Sequence, residues 1–223
     1  MELDQRHREV AAVGLAVAVI ANVVYAVILP LGATAPEQLE AAASRPGVTS
    51  LAVVTDVVFR IALSVGAVSL ARVVHRRAGV AALGSALVVA GCLASVLANV
   101  PHLLWAQAPA DPAGRRAVLD AVSGLAGSPA FLGVTVAGLL VLTAGTTALL
   151  IALRPAGWAP VWVLVAFVAG GAASLVGANA RPAVVAGALL TGAALAYVAA
   201  RVVRPGSATG TPPPPPAASR TRP

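Results

Sequence analysis

Charge is scarce in this chain. Aspartate, glutamate and arginine together make up 10% of its 223 residues, against about 25% in a soluble globular protein. A water-soluble domain of this size would lack the polar side chains to cover its surface. Lysine is missing altogether. The fifteen basic residues are all arginine, which, with the heavy use of alanine, valine and glycine, points to a GC-rich bacterial genome. The single cysteine, Cys92, excludes an intrachain disulfide or a cysteine metal cluster. Signatures of common enzymes are absent as well: there is no H-E-x-x-H, G-x-S-x-G, G-x-x-x-x-G-K-[ST] or C-x-x-C.

What is abundant is apolar. Hydrophobic residues make up 59% of the chain and the mean hydropathy is +0.90, which excludes disorder for most of its length. The formal charge of +7 does not indicate nucleic acid, because the arginines are scattered between apolar blocks instead of gathered in a patch. The partner implied is the lipid bilayer.

Six apolar runs approach the roughly 20 residues that span a hydrocarbon core of about 30 Å. They lie at about 10–29, 51–74, 79–100, 131–153, 158–178 and 183–203. The runs are continuous, not alternating, so helices are expected and barrel strands are not. The fold class is therefore all-α, a polytopic membrane bundle of six helices occupying 1–204. The first run has Arg6 and Arg8 before it and Ala33-Thr34-Ala35 after it, which matches a secretory cleavage pattern. Its apolar stretch exceeds the 7–15 residues of a typical signal core, and Pro36 follows the cut. An uncleaved helix is expected.

Arginine counts in alternate loops set the orientation. With the N-terminus inside, only Arg45, Arg115, Arg116 and Arg181 face outward and Arg60 lies in the membrane, leaving ten of the fifteen in the cytoplasm. Both termini are predicted cytoplasmic. Tyr25 and Trp105 then fall near the outer interface, and Trp158, Trp162 and Tyr197 near the inner one. Two outer connections carry short helices. One begins at Pro36, and the other at Asp111-Pro112, with Val118, Leu119, Val122 and Leu125 on one face. The second either lies on the lipid surface as a connector or covers the bundle as a lid. The proline-rich segment 205–223 reads as a disordered cytoplasmic tail.

The pointed residues sit in the second run, Thr55-Asp56-Val57-Val58-Phe59-Arg60. Ionisable residues inside a membrane are expensive and mark functional sites by default. Asp56 and Arg60 are four apart, share one helix face and can pair. Two readings stand: a structural ion pair that fixes packing, or a polar binding or proton-handling site. Asn22 and Asn99 complete the candidate polar site, with Ser95, Ser174, Asn179 and His102 also in the outer half. These groups describe either a small outward-open cavity or ordinary interhelical hydrogen bonding. Small residues at helix-packing spacing recur at Ala188, Gly192, Ala196 and Ala200, at Gly91 and Ser95, and at Gly170 and Ser174.

No catalytic, cofactor or metal site is expected. His75 and His102 are separated by a helix about 40 Å long, His7 lies in the N-terminal segment, and Asp56 is the one acid within the membrane. The halves 1–3 and 4–6 share no motif that would mark a transporter repeat. This layout, with Asp56, Arg60 and the arginines from Arg72 to Arg77, resembles the small six-helix integral membrane proteins of bacteria, of the actinobacterial type. The resemblance implies a fold and a location but no activity, so it carries over no functional residue. The expected role is non-enzymatic, structural or accessory, with a homo-oligomer or another membrane protein as partner. The alternative is a small transporter or channel subunit built around Asp56 and Arg60.

Overall fold

A computed structural model of the chain describes residues 2–31, 34–176 and 180–204. Asn179, Ala33 of the cleavage-like motif and the 205–223 tail lie outside the described residues. The protein is all-α, with no strand among the described residues. Among the described residues nine α-helices follow in order: α1 Glu2–Ile28, α2 Ala35–Ser44, α3 Pro46–Val73, α4 Ala78–Ser95, α5 Val100–Ala106, α6 Pro112–Ala126, α7 Pro129–Leu153, α8 Val161–Val176 and α9 Arg181–Val202.

Local chemistry sets most of these boundaries. Thr34, Asp111 and Ser128 cap α2, α6 and α7 by accepting from the backbone N–H of Glu37, Gly114 and Phe131. A proline follows in the first turn each time, where its missing N–H costs nothing. Gly157, with φ +73°, makes the left-handed turn from α7 toward α8. Pro101, expected to stop the third apolar run, instead opens α5. The ring clashes with the carbonyl four residues earlier in an α-helix. The chain avoids this by tightening Val96–Asn99 into a 3₁₀ turn and then resuming.

Among the described residues five stretches are long and apolar enough to cross a membrane: 4–28, 46–73, 78–106, 129–156 and 181–202. α8 is shorter, with 16 residues, or about 24 Å. Apolar side chains face outward along all of these helices. Leu93 is 70% exposed and Ile20 and Leu140 are 65% exposed, a surface that suits acyl chains and not water.

The helices pack as antiparallel pairs through glycine. Gly14 of α1 lies against Ala62 and Gly66 of α3. On α4, Gly84 meets Gly145 and Leu149 of α7, Gly91 meets Leu142, and Ser95 meets Gly138. Gly170 and Ser174 of α8 meet Gly187 of α9. α1 also packs antiparallel on α9, with Val19 against Gly192 and Ala26 against Val184 and Ala188. The first residues of α1 and the last of α9 therefore share one end of the bundle. That end holds a dense core of Leu15, Leu70, Leu153, Trp158 and Val202. The Arg8 guanidinium lies 5.2 Å from the centre of the Trp158 ring and clips α1 to the α7–α8 turn. Trp158 is thus buried within the protein. Trp162 remains exposed, edge-on to Tyr197.

At the far end α2, α5 and α6 form a cap with its own small core of Leu39, Ala42, Trp105 and Val122. Val118 and Leu119 pack against it, so the apolar face of α6 rests on protein. An Arg115–Glu40 ion pair at 3.5 Å ties α6 to α2. Trp105, expected at the outer interface, is buried inside this cap.

A Cβ at position 145 would lie 2.6 Å from the Val88 backbone nitrogen. Gly145→Ala should therefore separate α4 from α7 and cost about 1–3 kcal/mol. Gly133→Ala, where nothing lies within 4 Å, should leave stability unchanged or raise it slightly. Thermal exposure of the buried Cys92 thiol to a maleimide dye measures both, and equal melting curves for the two variants would refute the tight contact.

Candidate functional site

Helical periodicity brings Asp56 and Arg60 to one face of α3, one turn apart. The guanidinium grips the carboxylate with a two-pronged fork: Arg60 Nε donates to Asp56 Oδ2 at 2.6 Å and Nη2 to Oδ1 at 3.0 Å. Asp56 is 3% exposed, and the Arg60 side chain 11%.

The rest of the cluster comes from the region where α4 breaks. Asn99, last residue of the 3₁₀ turn, donates from Nδ2 to Asp56 Oδ2 at 2.6 Å. Ser95 Oγ accepts from Arg60 Nη1 and donates to the Gly91 carbonyl at 2.6 Å. Ser95 and Asn99 are themselves four apart, so the end of α4 presents two polar groups to the pair on α3. Ser95 and Asn99 are both buried. Two helices are thereby joined by a network in which Asp56 accepts three hydrogen bonds and Arg60 donates three. Such a network opposes the cost of holding two charges away from water, because each charge is paired and hydrogen-bonded where it sits.

The other candidate groups go elsewhere. Asn22 is not brought to Asp56; its Nδ2 points across the α1–α9 interface to the Ala188 carbonyl at 3.5 Å. Ser174 faces Gly187 in the α8–α9 contact. His102 lies edge-on to Trp105 with ring centres 5.4 Å apart, and among the described residues neither His102 Nδ1 nor Trp105 Nε1 has a hydrogen-bond partner. His75 pairs with Asp4 at 3.5 Å on the exposed terminal end. Among the described residues no group of three or more His, Cys, Asp or Glu side chains is placed to hold a metal ion. Ser95 was marked by its depth in the outer half and its spacing from Gly91, not as a direct partner of Arg60. The break that aims Ser95 and Asn99 had no signal beyond Pro101.

No family model, no curated protein and no solved structure matches the chain. Geometry alone carries the functional reading.

Asp56→Asn keeps the shape of the side chain but leaves Arg60 buried without a counter-charge. Breaking a buried pair from one side costs about 3–5 kcal/mol, so this variant should melt well below the wild-type protein. The double variant Asp56→Asn/Arg60→Gln, which is neutral, should recover most of that loss. A double variant as unstable as the single one would show that the charges are not coupled.

Proposed function

We propose that the chain is a six-span protein of the cell membrane with both termini cytoplasmic, and that its role is structural or accessory, not enzymatic. The observation that carries the role is the closed hydrogen bonding of Asp56. Its carboxylate is neutralised by Arg60, completed by Asn99 and 3% exposed. A carboxylate that moves protons or cations works through a charge left uncompensated and reachable by water. This one holds α3 to the end of α4.

Three features support the span count and orientation. The start of α1 and the end of α9 share one end of the bundle, as an even number of crossings requires. α8 lies antiparallel to α9 along its length and, with Trp158 to Pro160 before it, approaches the thickness of the hydrocarbon core. The four arginines Arg45, Arg115, Arg116 and Arg181 sit at the end opposite the termini, where the positive-inside rule tolerates few. The exposed apolar faces leave room for a second copy or another membrane protein beside the bundle.

One observation favours the second reading, a small transporter or channel subunit. α4 breaks at Val96–Asn99 beside the polar cluster, and interrupted helices are where transporters place their sites. In that case the fork opens when the 3₁₀ turn moves.

Reporter fusions at Arg77 and Arg116 should read cytoplasmic and external respectively, and the reverse pattern would overturn the orientation. In a deletion strain of the source organism, the structural role predicts that the neutral double variant restores both protein level and growth. Restored protein level without restored growth would favour the transporter reading.

A further inference from the structure

A cavity of 410 Å³ opens at the far end of the bundle, where α1 and α2 end and α3 and α9 begin. Its walls combine two arginines, Arg45 and Arg181, with Ser44 and the apolar side chains of Val27, Leu31 and Val48. No acidic residue lines it. Glu40, on the neighbouring helix α2, is turned to Arg115.

The two cations are held differently. Arg181 donates from Nη1 to the Val27 carbonyl at 3.3 Å and from Nη2 to the Leu29 carbonyl at 3.2 Å. This closes the last turn of α1 and fixes the guanidinium at the cavity wall, with further N–H groups left over. Arg45 is exposed, and its guanidinium makes no hydrogen bond or ion pair among the described residues. α1 and α2 end at this cavity and α3 and α9 begin there, so the helix dipoles oppose one another and the positive charge comes from the two guanidinium groups. The site thus has two guanidinium donors and no acid in its lining, all beside an apolar wall. Forked guanidinium groups match the several oxygens of a phosphate, and the volume leaves room for a body attached to it.

We infer that this cavity is a phosphate-type oxyanion site, with Arg181 as the fixed donor and Arg45 as the one that closes on the ligand. The chemistry suits either the headgroup of an anionic phospholipid in the adjacent leaflet or free inorganic phosphate. The site lies on other residues than the Asp56 cluster and stands whether that cluster is structural or not.

The full chain, purified and reconstituted in nanodiscs, tests it by thermal unfolding and ³¹P NMR. Two probes are used: phosphatidylglycerol mixed into phosphatidylcholine discs, and inorganic phosphate added to pure phosphatidylcholine discs. Stabilisation by phosphatidylglycerol alone assigns the site to a lipid headgroup, and stabilisation by phosphate in the neutral discs assigns it to the free ion. In either case Arg45→Gln should weaken binding tenfold or more, the effect of losing a charge-assisted contact, and Arg45→Lys should keep part of it. Arg76→Gln, which removes one exposed charge at the opposite end, should change nothing. The inference fails if neither probe binds, if Arg45→Gln binds like the wild-type protein, or if Arg76→Gln weakens binding as much. Because Arg45 supports no other side chain, its loss leaves the fold available for measurement.

Discussion

A bilayer drives apolar helices out of water but gives them little reason to choose each other over lipid, since acyl chains are as apolar as leucine. Everything in this bundle answers that constraint. Its helices associate by bringing backbones close enough for dispersion and weak polar contacts to add up, and glycine is the residue that permits the approach. The α4–α7 pair is the clearest case. Gly84 and Gly91 on one helix and Gly138 and Gly145 on the other are each seven apart, two full turns. They interleave so that a methyl group at any of them would collide with the partner. The same device closes α8 on α9 and α1 on α3.

Against that apolar background the Asp56 cluster supplies direction. Dispersion between smooth helix faces tolerates sliding by a turn, whereas the two bonds that leave α3, from Asn99 to Asp56 and from Arg60 to Ser95, do not. Arg60, Ser95 and Asn99 therefore set the register of α3 against α4, and the 3₁₀ turn is the local distortion that lets Ser95 and Asn99 both reach. The cap of α2, α5 and α6 then covers the far end, its core of Leu39, Ala42, Trp105 and Val122 lying beyond the polar network. The two arginines of the oxyanion cavity sit beside this cap, where the bundle meets the headgroup region.

Much of this could be read from the chain. The apolar runs located the long helices because nothing but length and continuity is required of them. Asp111-Pro112 and Pro36 marked the short helices because a cap and a proline leave few other options for the backbone. The pairing of Asp56 with Arg60 followed from spacing on one helix. What depends on neighbours was harder to see. Asn22 was grouped with Asp56 by depth, yet which way it faces is decided by α9. Trp105 and Trp158 have the composition of interface residues, and only the surrounding helices reveal that they are buried. Pro101 looked like an end because a proline inside a helix usually is one; a preceding 3₁₀ turn removes the clash at a small loss of regularity. Of the glycines between α4 and α7, Gly91 stood out through its spacing from Ser95, while those at 84, 138 and 145 were lost among 21 in the chain, since one sequence does not say which helix faces which.

Because Arg60 answers Asp56 from within the same helix, α3 carries its counter-ion with it. During synthesis this segment emerges from the ribosome ahead of α4, so as it first meets the membrane neither Ser95 nor Asn99 is in place. A carboxylate matched only by a cation on a later helix would have to enter the lipid bare, or wait at the interface for its partner. Here the fork can close as soon as the turn between residues 56 and 60 forms, and the segment presents a neutral dipole to the translocation machinery in place of two separate charges. The contacts from α4 then arrive as orientation for a helix that is already in place, which makes the order of assembly independent of how quickly the next span follows.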